Sequence, residues 1–122
     1  MIPRQPSFPV DLVYTWTDGN DAVRRALRTE WLARCPDACC DAATSNRARD
    51  RGGLRYSLRS VDLNLSWIRT IHVVVSGGQR PRWLADHPRV RLVEDAEIFP
   101  DRDHLPTFNS HAIECHLDRV PG

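Results

Sequence analysis

The chain has 122 residues, and its 17 basic and 16 acidic side chains leave a formal net charge of +1. This length predicts one small domain, and the balanced charge argues against an arm that binds nucleic acid. Every basic residue is an arginine, which excludes a lysine Schiff base and the lysine of a P-loop. No apolar run approaches the roughly 18 residues that span a bilayer, and the N-terminus lacks a signal-peptide core. We therefore expect a folded cytoplasmic domain with no transmembrane segment and no nucleic-acid partner.

The first part of the chain predicts a lead-in, a strand and a helix. Residues 1–9 contain three prolines and are expected to be extended. Val10–Trp16 carries β-branched and aromatic residues on both faces, which is typical of a buried parallel strand. Asn20 or Asp21 can cap the helix that follows. Its apolar residues recur at helical spacing, and three arginines lie on the other side. They are Val23, Ala26, Leu27 and Trp31, opposite Arg24, Arg25 and Arg28.

The rest of the chain predicts further strands and helices in alternation. A variable loop over residues 35–53 precedes an amphipathic helix over 54–65. Strands are expected over 70–76 and 90–93. A short helix is predicted at Pro81–Leu84, and a loop over 101–106. The last helix is expected to begin at Asn109 or Ser110 and to include Val120.

This alternation predicts an α/β fold, with a parallel sheet flanked by helices. Ligands of such sheets bind beyond the carboxyl ends of the strands. In this chain those ends are residues 16–19, 76–79 and 94–95. We therefore look there for residues that can bind a ligand.

Two of these strand ends carry groups that suit a nucleotide or a phosphate. The Trp16 ring can stack on a base or a sugar, and Asp18 can accept hydrogen bonds from hydroxyl groups. The backbone of residues 76–79 can form a nest for phosphate oxygens. Two simpler interpretations stay open: a core tryptophan in the turn before a helix, and an ordinary glycine turn.

Two predicted helices present polar faces. Arg55 and Arg59 lie one turn apart near a helix start, and their guanidinium groups can clamp a diphosphate. A solvated face with Arg59 paired to Asp62 fits equally well. On the last helix, Ser110 and Glu114 share a face beside His111. These three groups can line an active site or form an ordinary exposed face.

The cysteines and histidines do not indicate zinc. Cys35, Cys39 and Cys40 lack a second pair of ligands, so free thiols are favoured. His111 and His116 lie five residues apart, and on a helix they point about 140° away from each other. They therefore cannot share one ion.

Four segments together resemble the conserved blocks of the Stealth proteins. Residues 11–21 (Asp-Leu-Val-Tyr-Thr-Trp-Thr-Asp-Gly-Asn-Asp) resemble the first block, and Leu54–Ser60 resembles the opening of the second. Residues 67–84 continue that block, and His104–Glu114 is the most specific stretch. The resemblance covers most of residues 10–122, except the cysteine-containing loop.

Stealth proteins are sugar-phosphate transferases, which include bacterial capsule polymerases and the lysosomal N-acetylglucosamine-1-phosphotransferase. The resemblance implies an incomplete Rossmann-like sheet of the glycosyltransferase-A kind. It also implies a UDP-sugar donor, typically a UDP-N-acetylhexosamine, a glycan acceptor, and a divalent cation, Mg²⁺ or Mn²⁺. An acceptor hydroxyl would attack the phosphorus next to the sugar. UMP would leave, and the sugar would keep its phosphate in a new phosphodiester.

The resemblance also assigns roles to residues at matching positions. The expected catalytic side chains are Arg55, His104 and Glu114. The expected substrate-binding residues are Trp16, Asp18, Gly19, Arg59, Gly77, Gly78, Gln79, Asn109, Ser110 and His111. Arg55 and Arg59 would neutralise the diphosphate, whereas the general base stays unassigned.

The sequence departs from the family at two positions and in where it ends. Thr17 replaces a usual valine, and Gly77 replaces a usual aspartate or asparagine. The chain also stops at Gly122, before a family strand that ends in a metal-binding motif. We therefore expect residues 10–122 to be the N-terminal part of a catalytic domain, with the main metal ligands downstream. Alone, it would be inactive or need a second chain. The alternatives are a non-catalytic nucleotide-sugar-binding fragment and a degenerate relic.

Overall fold

Three parallel strands form the centre of the structure, a computed structural model that describes residues 4–34 and 50–122. Strand β1 spans Leu12–Thr15, β2 spans Ile71–Val75 and β3 spans Val90–Glu94, in the order β1-β2-β3. Both pairings are parallel, and Leu12 and Val90 both lie opposite Ile71. The predicted α/β class and all three predicted strands are confirmed.

Strand β2 is central because its sequence is apolar on both faces. All five of its residues are buried, and three are consecutive valines. A strand that is buried on both faces needs no alternation of polar and apolar residues. Strands β1 and β3 lie at the edges and are only partly buried.

Two helices follow β1. Helix α1 spans Ala22–Arg34, and Asp21 caps it, because its Oδ1 accepts a 2.8 Å hydrogen bond from the Arg24 N–H. Helix α2 spans Gly53–Asn64 and begins after Gly52, whose φ of 78° favours glycine. Both helices and the Asp21 cap match the sequence prediction. No helix within residues 4–34 and 50–122 is long and apolar enough to cross a membrane.

Two apolar clusters form the core. The first joins Leu54 and Val61 of α2 to β2 residues such as Val73. The second joins Val74 and Val93 to Ile98 and Phe99, and the C-terminal segment packs against it. Val73 and Val75 thus lie in the first cluster and Val74 in the second. This is expected because successive side chains of a strand point to opposite faces of the sheet.

Short elements account for most of the differences from prediction. Helix α3 at Asp95–Ile98 and a 3₁₀ turn at Arg102–His104 were not predicted. The predicted helix at Pro81–Leu84 is wrong, because that segment forms only turns. The last helix is shorter than predicted: α4 spans Ser110–Glu114, and a separate 3₁₀ turn spans Leu117–Arg119.

The apolar side of α1 is not buried as its spacing suggests. Val23 is 75% exposed, whereas Arg24 and Arg28 are half-buried. The side of α1 that carries the arginines is therefore not simply its solvent side. The predictions for Cys35, Cys39 and Cys40 fall outside the described residues.

Candidate functional site

A cavity of about 470 Å³ opens beside the carboxyl end of β1. Its wall comes from residues 15–19 after β1, from α1, and from residues 107–113 at the start of α4, with Asp50 at the border. We call it the α1 cavity. Its position beyond a strand end agrees with the sequence prediction for a ligand site.

Helix α1 makes one wall of the cavity cationic. Arg24, Arg25 and Arg28 all line it. Within residues 4–34 and 50–122, no carboxylate lies within ion-pair distance of these three guanidinium groups. The α1 cavity therefore carries excess positive charge, which suits an anionic ligand.

Arg24 is fixed by neighbours on the opposite wall. Its Nη2 donates a 2.8 Å hydrogen bond to the Thr107 carbonyl, and its guanidinium lies 4.4 Å from the centre of the Phe108 ring. Burial lowers the pKa of Arg24, and the charge of Asp95 opposes that change. Arg24 thus joins α1 to the segment that leads into α4.

Trp16 stands on the cavity wall with a fixed ring. Its Nε1–H donates to Asp50 Oδ2 at 3.2 Å, and the ring packs on the core cluster of α2. The Asp50 Oδ1 atom accepts from the Gly52 N–H at 2.8 Å, just before α2 begins. Trp16 is therefore held in place by the same turn that starts α2.

Gln79 ties the loop after β2 to the loop after β1. Its Oε1 accepts 3.1 Å hydrogen bonds from Thr17 Oγ1 and from the Asp18 N–H. Its Nε2 donates to the Asp18 carbonyl at 3.0 Å. Gln79 and Asp18 both line a smaller neighbouring cavity of about 250 Å³, which also reaches Trp16. The Gln79 amide therefore holds the loop that carries Trp16 in position.

The glycines after β2 face a carboxylate. Gly77 and Gly78 have φ values of 62° and 71°, and their backbone lies close enough to Glu94 to favour its ionised form. Burial raises the pKa of Glu94, and this effect outweighs the opposing influence of the two glycine N–H groups. A carboxylate of the neighbouring strand therefore lies beside the backbone of residues 76–79, and the nest for phosphate oxygens stays a prediction.

Helix α2 does not bring its arginines to the α1 cavity. Arg55 and Arg59 are exposed, and neither lines the cavity. The alternative pairing of Arg59 with Asp62 is not seen either, because the cation near Asp62 is Arg89, with Nη1 and Oδ1 3.9 Å apart.

The last segment contributes part of what the sequence predicted. Asn109, Ser110 and His111 line the α1 cavity, and Asn109 caps α4 through a 3.0 Å hydrogen bond from the His111 N–H. Glu114 lies one turn further, with its Oε2 3.3 Å from His111 Nδ1. His104 lies outside the cavity wall, exposed and 3.7 Å from Asp101.

Comparison with known proteins identifies the family. The model described as "Stealth protein CR2, conserved region 2" matches residues 47–122. The chain belongs to the Stealth family. It is 47% identical over 124 residues to the exopolysaccharide phosphotransferase SCO6023 of Streptomyces coelicolor, and the match covers 99% of this chain and 20% of that protein.

Other relatives have similar names. The exopolysaccharide phosphotransferase SCO2594 of Streptomyces coelicolor is 45% identical over 117 residues, which cover 95% of this chain and 19% of that protein. The exopolysaccharide phosphotransferase CpsY of Mycobacterium tuberculosis H37Rv is 39% identical over 115 residues, which cover 94% of this chain and 21% of that protein. The chain spans about a fifth of the length of these curated relatives.

Membership of the Stealth family implies a divalent cation, but the described part of the chain provides no set of ligands for it. Within residues 4–34 and 50–122, no group of three His, Cys, Asp or Glu side chains is arranged to hold a metal ion. The nearby carboxylates are engaged elsewhere: Asp95 accepts a 2.5 Å hydrogen bond from Ser76 Oγ, and Asp50 binds Trp16. No step of the chemistry is therefore assigned to a metal here.

The sequence prediction missed the cationic wall of the α1 cavity. The helical spacing of the apolar residues places Arg24, Arg25 and Arg28 on the other side of α1 but does not indicate a ligand there. A second signal was present, since these arginines directly follow the turn at the carboxyl end of a strand. Helix positions that follow such a turn lie next to the usual ligand site of a parallel sheet.

Proposed function

We propose that this chain supplies the donor-binding part of a sugar-phosphate transferase. The donor is a UDP-sugar, in particular a UDP-N-acetylhexosamine, and the acceptor is a hydroxyl group of a glycan. The product is a phosphodiester in exopolysaccharide or capsule synthesis. The printed names of the relatives, exopolysaccharide phosphotransferases, support this reaction class.

One observation carries the proposal within the structure. The α1 cavity combines a cationic wall with the fixed ring of Trp16, beyond the carboxyl end of a parallel strand. Phosphoryl transfer requires little more from a protein than positioning and neutralisation of charge. An aromatic ring beside guanidinium groups provides both for a nucleoside diphosphate, because the ring can stack on the base or sugar.

The reaction that fits this site is a displacement at phosphorus. The acceptor oxygen forms a bond to the phosphorus that carries the sugar, and the bond from that phosphorus to the bridging oxygen of UMP breaks. UMP leaves with the electron pair. The acceptor proton must pass to a base, and His111 is the imidazole on the cavity wall, oriented by Glu114. We propose Mg²⁺ or Mn²⁺ as the cation, with its ligands outside the described residues.

The test joins this chain to the remainder of a relative. In a chimera, residues 1–122 replace the matching segment of SCO6023, and UMP release from UDP-N-acetylglucosamine is measured with a glycan acceptor. We expect release by the chimera, and none above background by the 122-residue chain alone. Strong metal-dependent release by the chain alone would contradict the proposed division of the site.

Calorimetry with the chain alone tests the proposed donor independently. We expect UDP and UDP-N-acetylglucosamine to bind, and GDP-mannose to bind more weakly. If UDP binds but a folded chimera releases no UMP, the chain is a non-catalytic nucleotide-sugar-binding module. If neither uridine nucleotide binds, the proposed donor is wrong.

A further inference from the structure

The arginines at the start of α1 violate the usual charge preference of a helix. The N-terminal end of a helix carries partial positive charge, which favours Asp and Glu in the first turn. The first turn of α1 has no acidic residue, and Arg24 and Arg25 follow directly. Helix α3 obeys the preference, with Asp95 and Glu97 in its first turn. The Asp21 cap offsets part of this positive charge, but it does not explain why three arginines of α1 lie on the wall of one cavity.

The three arginines differ in what already holds them. Arg24 has its hydrogen bond to Thr107 and its contact with Phe108. Arg25 and Arg28 have no hydrogen bond from their side chains in the described part of the chain, although both line the α1 cavity. They lie three residues apart, so they are neighbours on the helix surface. Arg24 therefore positions the helix, and two guanidinium groups remain for a ligand.

We propose that Arg25 and Arg28 form the diphosphate-binding site of the chain and that Arg24 positions them. The site takes the diphosphate of a nucleoside diphosphate. This inference rests on the proposed function for the identity of the donor, but it assigns the diphosphate to α1 instead of to Arg55 and Arg59.

Geometry favours α1 over α2 for this task. Two guanidinium groups on one wall can each give paired hydrogen bonds to phosphate oxygens. The opposite wall adds neutral donors, the Asn109 amide and the Ser110 hydroxyl. Arg55 and Arg59 lie outside this cavity, whereas Arg28 is half-buried on its wall and Arg25, although exposed, also lines it.

The experiment is a binding titration of the 122-residue chain by calorimetry at low salt. The probes are UDP, UMP, inorganic pyrophosphate and glucose 1-phosphate. The test variant is R25Q/R28Q, and the matched control is R91Q/R102Q, which removes two exposed arginines that line no part of the α1 cavity. Circular dichroism and the unfolding midpoint check the fold of each variant.

We expect R25Q/R28Q to weaken UDP and pyrophosphate binding by about tenfold for each lost charged contact. The control should bind both within about twofold of the parent. The inference is overturned if R25Q/R28Q binds pyrophosphate like the parent, if R55Q/R59Q causes the loss instead, or if the parent does not bind pyrophosphate. Glucose 1-phosphate that binds more tightly than UDP would also overturn it, because the site would then fit a phosphomonoester.

Failure of the proposed function gives a different pattern. If pyrophosphate binds through Arg25 and Arg28 but UDP binds no better than pyrophosphate, the diphosphate site stands and the uridine donor is wrong. If UDP binds the parent and R25Q/R28Q equally well, the donor stands and the α1 assignment is wrong. A lone Arg28→Lys variant keeps the charge but loses the planar fork, and we expect an intermediate loss.

Discussion

Helices α1 and α2 are consecutive in the described part of the chain and both carry arginines, yet they are held in opposite ways. Helix α2 buries Leu54 and Val61 in the core. In the described part of the structure α1 has no buried residue, and Val23 is 75% exposed. Polar contacts hold α1 instead: the Gln79 amide fixes the loop before it, and Arg24 joins it to Thr107.

This difference decides which arginines can meet a ligand. Because packing fixes the apolar face of α2, Arg55 and Arg59 must point to solvent. Helix α1 has no such constraint, so its arginines can line a cavity. Helices that are held by a few polar contacts also open more easily than helices that are held by core packing. We therefore expect faster hydrogen exchange in α1 than in α2.

The largest expected effect is on stability, and it tests whether α2 packs in the core whereas α1 does not. Leu54→Ala should lower the free energy of unfolding by about 2–4 kcal/mol, because it leaves a cavity in the core. Val23→Ala should change it by less than about 0.5 kcal/mol, because Val23 is exposed and alanine favours a helix. Urea unfolding measures both. Equal losses would show that α1 is part of the core.

The difference between core packing and polar contacts also explains which elements of the fold could be predicted. Strand β2 and helix α2 could be predicted because burial dictates their sequences: three consecutive valines in one, and apolar residues at helical spacing in the other. Periodicity predicted the existence of α1 but not which of its side chains line the cavity, because no described residue of α1 is buried in the core. Helix α3 has only four residues, which is too short for a periodic signal.

The next effect concerns the attachment of the loop before α1. Gln79→Ala removes three hydrogen bonds, which should cost about 2 kcal/mol in total at the usual net value for partly exposed bonds. UDP binding should weaken as well, because the loop carries Trp16. Gln79→Glu is the matched variant, since it keeps the oxygen that accepts from Thr17 and loses the donor to the Asp18 carbonyl. If Gln79→Ala weakens UDP binding and leaves stability unchanged, Gln79 contacts the donor directly.

A smaller effect is expected at Arg24. Arg24→Ala loses the bond to Thr107 and the contact with Phe108, which should cost about 1–2 kcal/mol of stability. It should also weaken pyrophosphate binding severalfold, because Arg25 and Arg28 lose their alignment. Arg24→Lys keeps the charge and should recover part of both. An unfolding midpoint equal to that of the parent would contradict the positioning role.

The candidate site was less predictable than the fold. Trp16, Gly19, Asn109, Ser110 and His111 were named in advance and line the α1 cavity. Cavity walls depend on how distant segments meet, and the contact between Arg24 and Thr107 spans 83 residues of sequence. The proximity of Glu94 to Gly77 and Gly78 likewise depends on the pairing of two strands that are distant in sequence. The spacing of residues along the sequence does not indicate such contacts.

The smallest effect lies at the amino end of the sheet, far along β1 from the α1 cavity. The guanidinium of Arg69 donates to Asp11 through Nε at 2.8 Å and Nη2 at 2.6 Å. Chiefly through these bonds, and with help from His72, the pKa of Asp11 falls from 3.8 to about 2. The folded state thus favours the ionised carboxylate, so its contribution to stability is complete above about pH 4 and is lost as the pH falls towards 2.

Asp11→Asn should remove this part of the acid dependence. The variant should be slightly less stable than the parent at pH 7, and its stability should fall less steeply between pH 4 and pH 2. Because Arg69 is exposed, the difference should be small and should shrink in high salt. Pyrophosphate binding should be unchanged at pH 7, since Asp11 lies outside the cavity wall. If the stability of the variant falls as steeply between pH 4 and pH 2 as that of the parent, other carboxylates control the acid dependence. A change in pyrophosphate binding would mean that the two ends of β1 are coupled.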